Sequence, residues 1–185
     1  MASSTTEYVN INAKPITLTS KKIGSALDGC QFTVKYKKEV KNKLYLSFLL
    51  PAFFILLRHL NCDISAYYVF TACFLAISIY IEYCNVRKET VLIIPFIGIQ
   101  YTTEYGFKME KNHFIHWQTI DGVIINEVIH MHSIIYILTV IVKDYSQKTS
   151  LVTLFKNTKP RLKCLEIIYQ EMEKILDNKT KDSKS

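Results

Sequence analysis

The chain is short of the residues that build nucleotide-binding loops. Its 185 residues include only five glycines and four prolines. A phosphate-binding loop needs closely spaced glycines followed by a lysine and a hydroxyl residue. Residues 24–29 have the glycine spacing, but Cys30 and Gln31 stand where the lysine and the hydroxyl residue should be. We therefore predict that this segment is not a P-loop.

Carboxylate pairs that are typical of sugar transferases are missing too. The sequence contains no Asp-x-Asp pair, and no two glutamates lie eight positions apart. We therefore expect no catalytic residues, no cofactor and no sugar-nucleotide site in this chain alone. Whether it belongs to an enzyme is left open by these absences.

The five cysteines and five histidines do not form a metal-binding pattern. No two cysteines have CxxC spacing, so neither a disulfide framework nor a zinc site is predicted. His130 and His132 could project from one side of a strand, but no third ligand lies nearby in the sequence. Surface or turn histidines are the simpler interpretation.

Two apolar runs, residues 44–57 and 64–81, contain no charged residue. A bilayer core is crossed by about 20 apolar helical residues. The second run is nearly that long, whereas the first is shorter and contains Pro51, which should kink it. These runs predict a transmembrane or re-entrant helical hairpin. A buried helical hairpin in a soluble core is the alternative.

The net charge of +7 is concentrated before the first apolar run, where residues 1–43 hold eight lysines and three acidic residues. The positive-inside rule then predicts a multi-pass hairpin with both termini cytosolic. Basic residues close to a bilayer also attract anionic headgroups. We predict membrane-surface contact for Lys35, Lys37, Lys38, Lys41 and Lys43. The alternative is that these lysines only fix topology.

The pattern after the hairpin changes to short segments that are rich in β-branched and aromatic residues. They are residues 91–94, 97–101, 114–117, 123–129, 134–142 and 151–155, with breaks that include Pro95, Gly98, Gly106 and Asp121-Gly122. From Pro160 onward, apolar residues recur every three to four positions, which predicts one amphipathic helix. This order favours a curved sheet or a partly open barrel that is capped by the helix.

The predicted fold class is an α+β membrane protein. A transmembrane or re-entrant helical hairpin is followed by an antiparallel sheet with a C-terminal helix, as in a pleckstrin-homology-like roll. We divide the chain into a basic cytosolic arm at 1–43, mostly irregular up to residue 30, the hairpin at 44–84, the sheet-plus-helix domain at 88–176 and a disordered tail at 177–185.

Asn126 and Glu127 interrupt a strongly apolar predicted strand. Polar residues at a strand centre either face solvent or are engaged by a partner. A solvated face or a bulge and a contact with another subunit are both open interpretations.

Several short blocks of the chain share an order and spacing with a known family. They are Leu92-Ile93-Ile94, Gly98-Ile99-Gln100, Phe114-Ile115, Val123-Ile124-Ile125-Asn126-Glu127 and Pro160-Arg161-Leu162 with Leu165 and Ile168-Tyr169. Together these blocks resemble the PIG-H family, the H component of the phosphatidylinositol N-acetylglucosaminyltransferase complex. The resemblance covers about residues 88–172, with the apolar pair in the family's place upstream.

The resemblance implies a role in the first step of GPI anchor synthesis. The complex transfers N-acetylglucosamine from UDP-N-acetylglucosamine to phosphatidylinositol at the cytosolic face of the endoplasmic reticulum. A different component is the catalytic subunit, and the PIG-H component supports it. This chain would then be a non-catalytic subunit whose partners are the catalytic subunit, the other membrane subunits and the bilayer, with no nucleic acid. The candidates for subunit contact or for fixing the domain are Asn126, Glu127, Pro160 and Arg161.

Two other functions remain open at this point. The first is a membrane-tethered phosphoinositide-binding module, which would need a basic pocket on the early strands. Only Lys108 and Lys111 lie there, and Glu104 and Glu110 lie beside them. The second is an enzyme that acts without partners.

Overall fold

The computed structural model describes residues 3–24, 29–37, 83–130, 133–143 and 148–182, with scattered residues between 69 and 80. The chain divides into two compact units. The first combines Met1–Lys37 with Val86–Ser185, and the second is Lys38–Asn85. All strands named below and the terminal helix belong to the first unit.

Sheet 1 has six antiparallel strands whose spatial order follows the chain. They are β1 (Ser3–Val9), β2 (Pro15–Ile23), β3 (Gly29–Tyr36), β4 (Val86–Ile94), β5 (Gly98–Tyr105) and β6 (Glu110–His116). Sheet 2 has three antiparallel strands in chain order. They are β7 (Ile120–His130), β8 (Ser133–Lys143) and β9 (Thr149–Leu154), and the helix α1 (Leu162–Asp182) follows them.

One apolar core is shared by both sheets and the helix. Phe32 of β3 and Ile99 of β5 are completely buried, and they belong to the same cluster as Leu138 of β8 and Ile168 of α1. Every second residue of a half-buried strand faces the core, which is why short alternating segments suffice to build both sheets. Burial of one such side chain stabilises the fold by about 1.5–3 kcal/mol.

Helix α1 confirms the periodicity predicted after Pro160. Its buried residues Cys164, Leu165, Ile168 and Met172 recur every three to four positions and therefore lie on one face. The helix begins at Leu162 and continues through Asp182. The first part of the predicted disordered tail is therefore helical.

The predicted fold class is wrong. Over the described residues the structure is mostly antiparallel sheet with a C-terminal helix, and the strands form two sheets instead of one curved roll. Among the described residues, no helix is both long enough and apolar enough to cross a bilayer. The apolar runs from which the hairpin was predicted lie largely outside those residues.

The interpretation of residues 1–30 as a mostly irregular arm is also wrong. β1, β2 and the start of β3 lie there, and β3 pairs with β4 in the register Lys35↔Lys88 to Cys30↔Ile93. These strands are built mainly from Ser, Thr and Lys alternating with a few apolar residues. Thr favours strands because of its β-branched side chain, although it adds little to an apolar pattern.

The six strands predicted after the apolar runs are present, but several begin earlier than predicted. The segment predicted at 91–94 begins at Val86, and the one predicted at 114–117 begins at Glu110. Gly98 opens β5 instead of breaking it, and β7 continues past Gly122 with a register shift between Ile120 and Gly122.

Candidate functional site

The carboxylate of Glu89 is the centre of the most extensive buried polar network in the described part of the chain. Glu89 lies on β4 with no exposed surface. Its Oε1 accepts hydrogen bonds from the Tyr101 hydroxyl, from the Asn157 backbone N–H at 3.3 Å and from Asn157 Nδ2 at 2.8 Å. Its Oε2 accepts from the Thr158 N–H at 2.9 Å and from Thr158 Oγ1 at 2.5 Å. We call these four residues the Glu89 cluster.

The five donors explain how a carboxylate can be accommodated in the core. A buried carboxyl group is costly unless its oxygens are hydrogen-bonded. Burial raises the pKa of Tyr101 well above its ordinary value, and the nearby charge of Glu89 raises it further. The Tyr101 hydroxyl therefore stays protonated and remains a donor to Glu89. No buried side-chain nitrogen or oxygen among the described residues lacks a partner.

The loop between β9 and α1 carries half of the Glu89 cluster and has an unusual backbone. Phe155 and Lys159 have φ angles of 53° and 43°. Residues other than glycine adopt such angles only when the surrounding structure compensates a cost of about 1–3 kcal/mol. Glu89 supplies that compensation, because it binds the backbone N–H groups of Asn157 and Thr158 between these two positions.

The N-terminal strands reach the same loop through the turn that follows β1. Asn10 is buried, and its Oδ1 accepts from the Lys14 N–H at 2.8 Å. Asn10 Nδ2 donates to the Thr158 carbonyl at 3.4 Å, and the Ile11 N–H donates to the Lys159 carbonyl at 3.2 Å. The loop is therefore held from two sides, by β4 and by the N-terminal turn.

Tyr36, at the end of β3, adds a third connection. Its hydroxyl donates to the Asn157 carbonyl at 2.8 Å. The pKa of Tyr36 is raised, chiefly by burial; a hydrogen bond with Asn10 opposes this rise and the charge of Glu89 adds to it. The Tyr36 hydroxyl therefore also stays protonated as a donor to the loop.

Two of the four candidates predicted from the sequence lie beside this network. Pro160 is buried and forms an isolated bridge with Asn10. Arg161 is exposed, and its Nε donates to the Asn10 carbonyl at 3.3 Å. The Arg161 carbonyl accepts from the Cys164 N–H at 2.9 Å, at the start of α1. Pro160 and Arg161 thus join the N-terminal turn to the beginning of the helix.

The other two candidates lie elsewhere, on β7. Asn126 and Glu127 are exposed and stand opposite Ile137 and Tyr136 of β8. The structure does not bring them to the Glu89 cluster. Neither side chain has a hydrogen bond or an ion pair with any other described residue. They are available to solvent or to another molecule.

The lysines predicted at a membrane surface are only partly described. Lys35 is exposed on β3, and Lys37 Nζ forms an ion pair with Glu7 Oε1 at 2.8 Å. Lys38, Lys41 and Lys43 lie outside the described residues. His132 and the side chain of His130 lie outside them as well. In the part of the chain that is described, no group of three or more His, Cys, Asp or Glu residues could hold a metal ion.

Glu89 was missed in the sequence although a signal for it exists. Glu89, Val91 and Ile93 are all buried, which is the two-residue alternation of one strand face. Extending the predicted strand backwards from Val91 would have placed Glu89 on that inner face. Asn157 and Thr158 had no such signal, because their role depends on the loop conformation.

A family model matches the central part of the chain. Residues 90–156 match the model described as "GPI-GlcNAc transferase complex, PIG-H component". Residues 90–156, called the PIG-H domain below, are therefore similar to that component. The domain runs from β4 through β9 and ends one residue before Asn157. The resemblance to the PIG-H family is therefore confirmed.

Curated relatives agree with this similarity. The chain is similar to the H subunit of phosphatidylinositol N-acetylglucosaminyltransferase from Homo sapiens, with 34% identity over 109 residues, which are 57% of this chain and 58% of that protein. The H subunit of the Bos taurus transferase is 37% identical over 100 residues, which are 52% of this chain and 53% of that protein. The chain thus spans somewhat more than half the length of these relatives. No solved structure matches it.

Proposed function

We propose that this chain is a non-catalytic subunit of the complex that transfers N-acetylglucosamine from UDP-N-acetylglucosamine to phosphatidylinositol, the first step of GPI anchor synthesis. The observation that carries this proposal is the PIG-H domain at residues 90–156, together with relatives that are named as the H subunit of that transferase.

The geometry of the Glu89 cluster supports a framework role for this carboxylate. A general acid or base must be able to reach the group whose proton it moves. Glu89 has no exposed surface, and both of its oxygens already accept hydrogen bonds from within the chain. Glu89 therefore serves to fix the loop that leads into α1.

We assign different roles to the four residues predicted as candidates. Pro160 and Arg161 fix the domain, because they join the start of α1 to the N-terminal turn. Asn126 and Glu127 contact another subunit, because they are exposed and are not engaged by the described residues. The partner that we propose for them is the catalytic subunit of the complex.

We also propose that the chain works at the endoplasmic reticulum, where this complex would meet its lipid substrate. Lys35 and Lys37, together with Lys38, Lys41 and Lys43, would contact anionic headgroups. The ion pair of Lys37 with Glu7 does not oppose this, because both side chains are more than half exposed and such surface pairs are weak.

Affinity purification of the full chain in mild detergent tests the proposed function. We expect the chain to recover the other subunits of the transferase and the transferase activity. Recovery of the chain without any transferase subunit would contradict the proposal. Transferase activity from the purified single chain would contradict its non-catalytic part.

The contact role of β7 needs a separate comparison. Glu127→Lys should reduce recovery of the catalytic subunit. Glu110→Lys on β6 is the control, because it makes the same charge change at another exposed strand position. Equal recovery with both variants would remove Glu127 from the contact surface.

A further inference from the structure

An apolar groove between sheet 2 and the start of α1 has no role in the arrangement described so far. Its volume is about 180 Å³. Leu138 of β8, Leu154 of β9 and Leu165 of α1 line it, and all three are buried. Val128 and Ile137, which are half-buried, line it as well. Its surface is therefore made mainly of aliphatic side chains.

The size of the groove limits what can occupy it. Pockets for drug-sized ligands and cofactors measure about 300–1,000 Å³. A cavity of about 150 Å³ is known to hold a single benzene ring. A groove of this volume therefore fits one large apolar side chain and is too small for a cofactor or for a two-chain lipid.

The charge around the groove is of one sign. Lys156 and Lys159 line it directly. Residues 148–165 contain five basic residues and no acidic residue. Within the described part of the chain, neither the Lys156 nor the Lys159 ammonium has an ion-pair partner. Basic groups beside an apolar site favour a ligand in which carboxylates flank the apolar group.

We propose that this groove is the docking site for a segment of a partner protein that inserts one leucine-, methionine- or phenylalanine-sized side chain and places flanking aspartates or glutamates on Lys156 and Lys159. A few side chains that fill desolvated pockets usually supply most of the binding energy of an interface. The inference rests on the proposed function, because the partner is then another subunit of the transferase complex.

The position of the groove within the PIG-H domain agrees with this role. Val128, Ile137, Leu138, Leu154 and Lys156 all lie within residues 90–156. Ile137 is also the residue that stands opposite Asn126 in the β7–β8 pair. The groove and the proposed contact residues of β7 therefore belong to one hairpin.

A charge reversal at the groove tests the inference in the full chain. We expect Lys156→Glu with Lys159→Glu to lower the recovery of transferase subunits about tenfold, because two charge pairs are lost and two repulsions are introduced. The control is Lys21→Glu with Lys22→Glu, an equal charge change at two exposed positions of β2. Thermal unfolding of each variant chain shows whether it is folded.

A photo-crosslinking residue in place of Lys156 identifies the occupant. We expect a crosslink to a segment of a transferase subunit that contains an apolar residue flanked by carboxylates. A crosslink to phospholipid, or wild-type recovery with the folded double variant, would overturn the inference while leaving the proposed function intact. Failure of the wild-type chain to recover any transferase subunit would overturn both.

Discussion

Glu89 accepts hydrogen bonds from both the backbone N–H and the hydroxyl of Thr158, which lies 69 residues further along the chain. This pair connects β4, near the beginning of the PIG-H domain, to the loop just beyond its end. The connection closes the domain on itself. It also fixes the loop from which Pro160, Arg161 and α1 continue.

Replacement of Glu89 should destabilise the fold strongly. Glu89→Gln turns an amide N–H₂ group toward donors that need an acceptor, and a buried group left unsatisfied costs about 1–3 kcal/mol. We expect the free energy of unfolding to fall by about 2–4 kcal/mol, as measured by urea denaturation. Glu104→Gln is the matched control, because Glu104 is partly exposed and its pair with Lys88 is a surface pair. Equal stability of the two variants would show that the Glu89 cluster does not hold the loop.

Gly98 and Gly122 should respond in opposite ways to alanine. At Gly98, where φ is +153°, an added Cβ would lie 2.2 Å from the Ile115 carbonyl oxygen. We expect Gly98→Ala to cost at least about 1–3 kcal/mol, since the backbone of β6 cannot move away without losing its pairing with β5. At Gly122 an added Cβ meets nothing within 4 Å, and φ is not in the positive range. Gly122→Ala should be neutral or slightly stabilising, and a larger loss at Gly122 than at Gly98 would contradict the register of β5 with β6.

Cys164 should be unreactive in the folded chain. It has no exposed surface, and burial raises the pKa of its thiol from 9.0 to about 12. Alkylation proceeds through the thiolate, so at about pH 8 the folded protein should leave Cys164 unlabelled. Mass spectrometry after alkylation in the presence and absence of urea measures this difference. Equal labelling in both states would show that α1 does not bury the thiol.

The same thiol makes stability depend on pH in the alkaline range. Because the pKa of Cys164 is higher in the folded state, its contribution is fully present below pH 9.0 and is lost as the pH rises towards about 12. Wild type should therefore lose more stability than Cys164→Ala when unfolding is compared at neutral pH and above pH 9.0. The difference between the losses of wild type and Cys164→Ala excludes the effect of tyrosine titration, which both proteins share. Equal losses of stability in wild type and Cys164→Ala would contradict the prediction.

Arg161 should contribute to stability through its hydrogen bond to the N-terminal turn. Arg161→Ala removes the donor to the Asn10 carbonyl, and a typical hydrogen bond within a protein is worth about 0.5–1.5 kcal/mol. Lys163→Ala is the control, since the Lys163 side chain is exposed and makes no hydrogen bond or ion pair with the described residues. The denaturation midpoints of Arg161→Ala and Lys163→Ala measure the stability of both variants. If Arg161→Ala retains the partner subunits but loses stability, Arg161 fixes the domain and makes no contact with a partner.

The sequence allowed the second half of the fold to be predicted because its strands are strongly apolar. The segments around Ile99, Ile125 and Leu138 are rich in β-branched and aromatic residues, and the period of α1 is regular. β1 and β2 were missed because their inner positions are few, with Ile16 and Leu18 as the main buried residues of β2. β2 pairs with both β1 and β3, and a local sequence pattern contains no information about this pairing.

The candidate site was predicted only in part, for a related reason. Pro160 and Arg161 were found through the family resemblance, and both lie beside the Glu89 cluster. Glu89 was missed because the predicted strand was begun at Val91, although the alternation of buried residues continues back to Glu89. Asn10 was missed because a buried polar residue of a turn is recognised by its partners, and here the partner residue Thr158 is distant in sequence. The fold class was predicted wrongly because the two apolar runs were taken to make the whole chain a helical-hairpin membrane protein.

The pairing of β3 with β4 has a consequence for how the molecule folds. The strands β1–β3 form one meander and β4–β6 form another, and each can be built from contacts that are close in sequence. The ladder from Cys30↔Ile93 to Lys35↔Lys88 joins partners more than fifty residues apart. Closing that separation costs more chain entropy than closing any hairpin within a meander. We therefore expect this ladder to form last in sheet 1, as a seam between two meanders that fold locally, and Glu89 and Tyr101 lie on the second of these meanders.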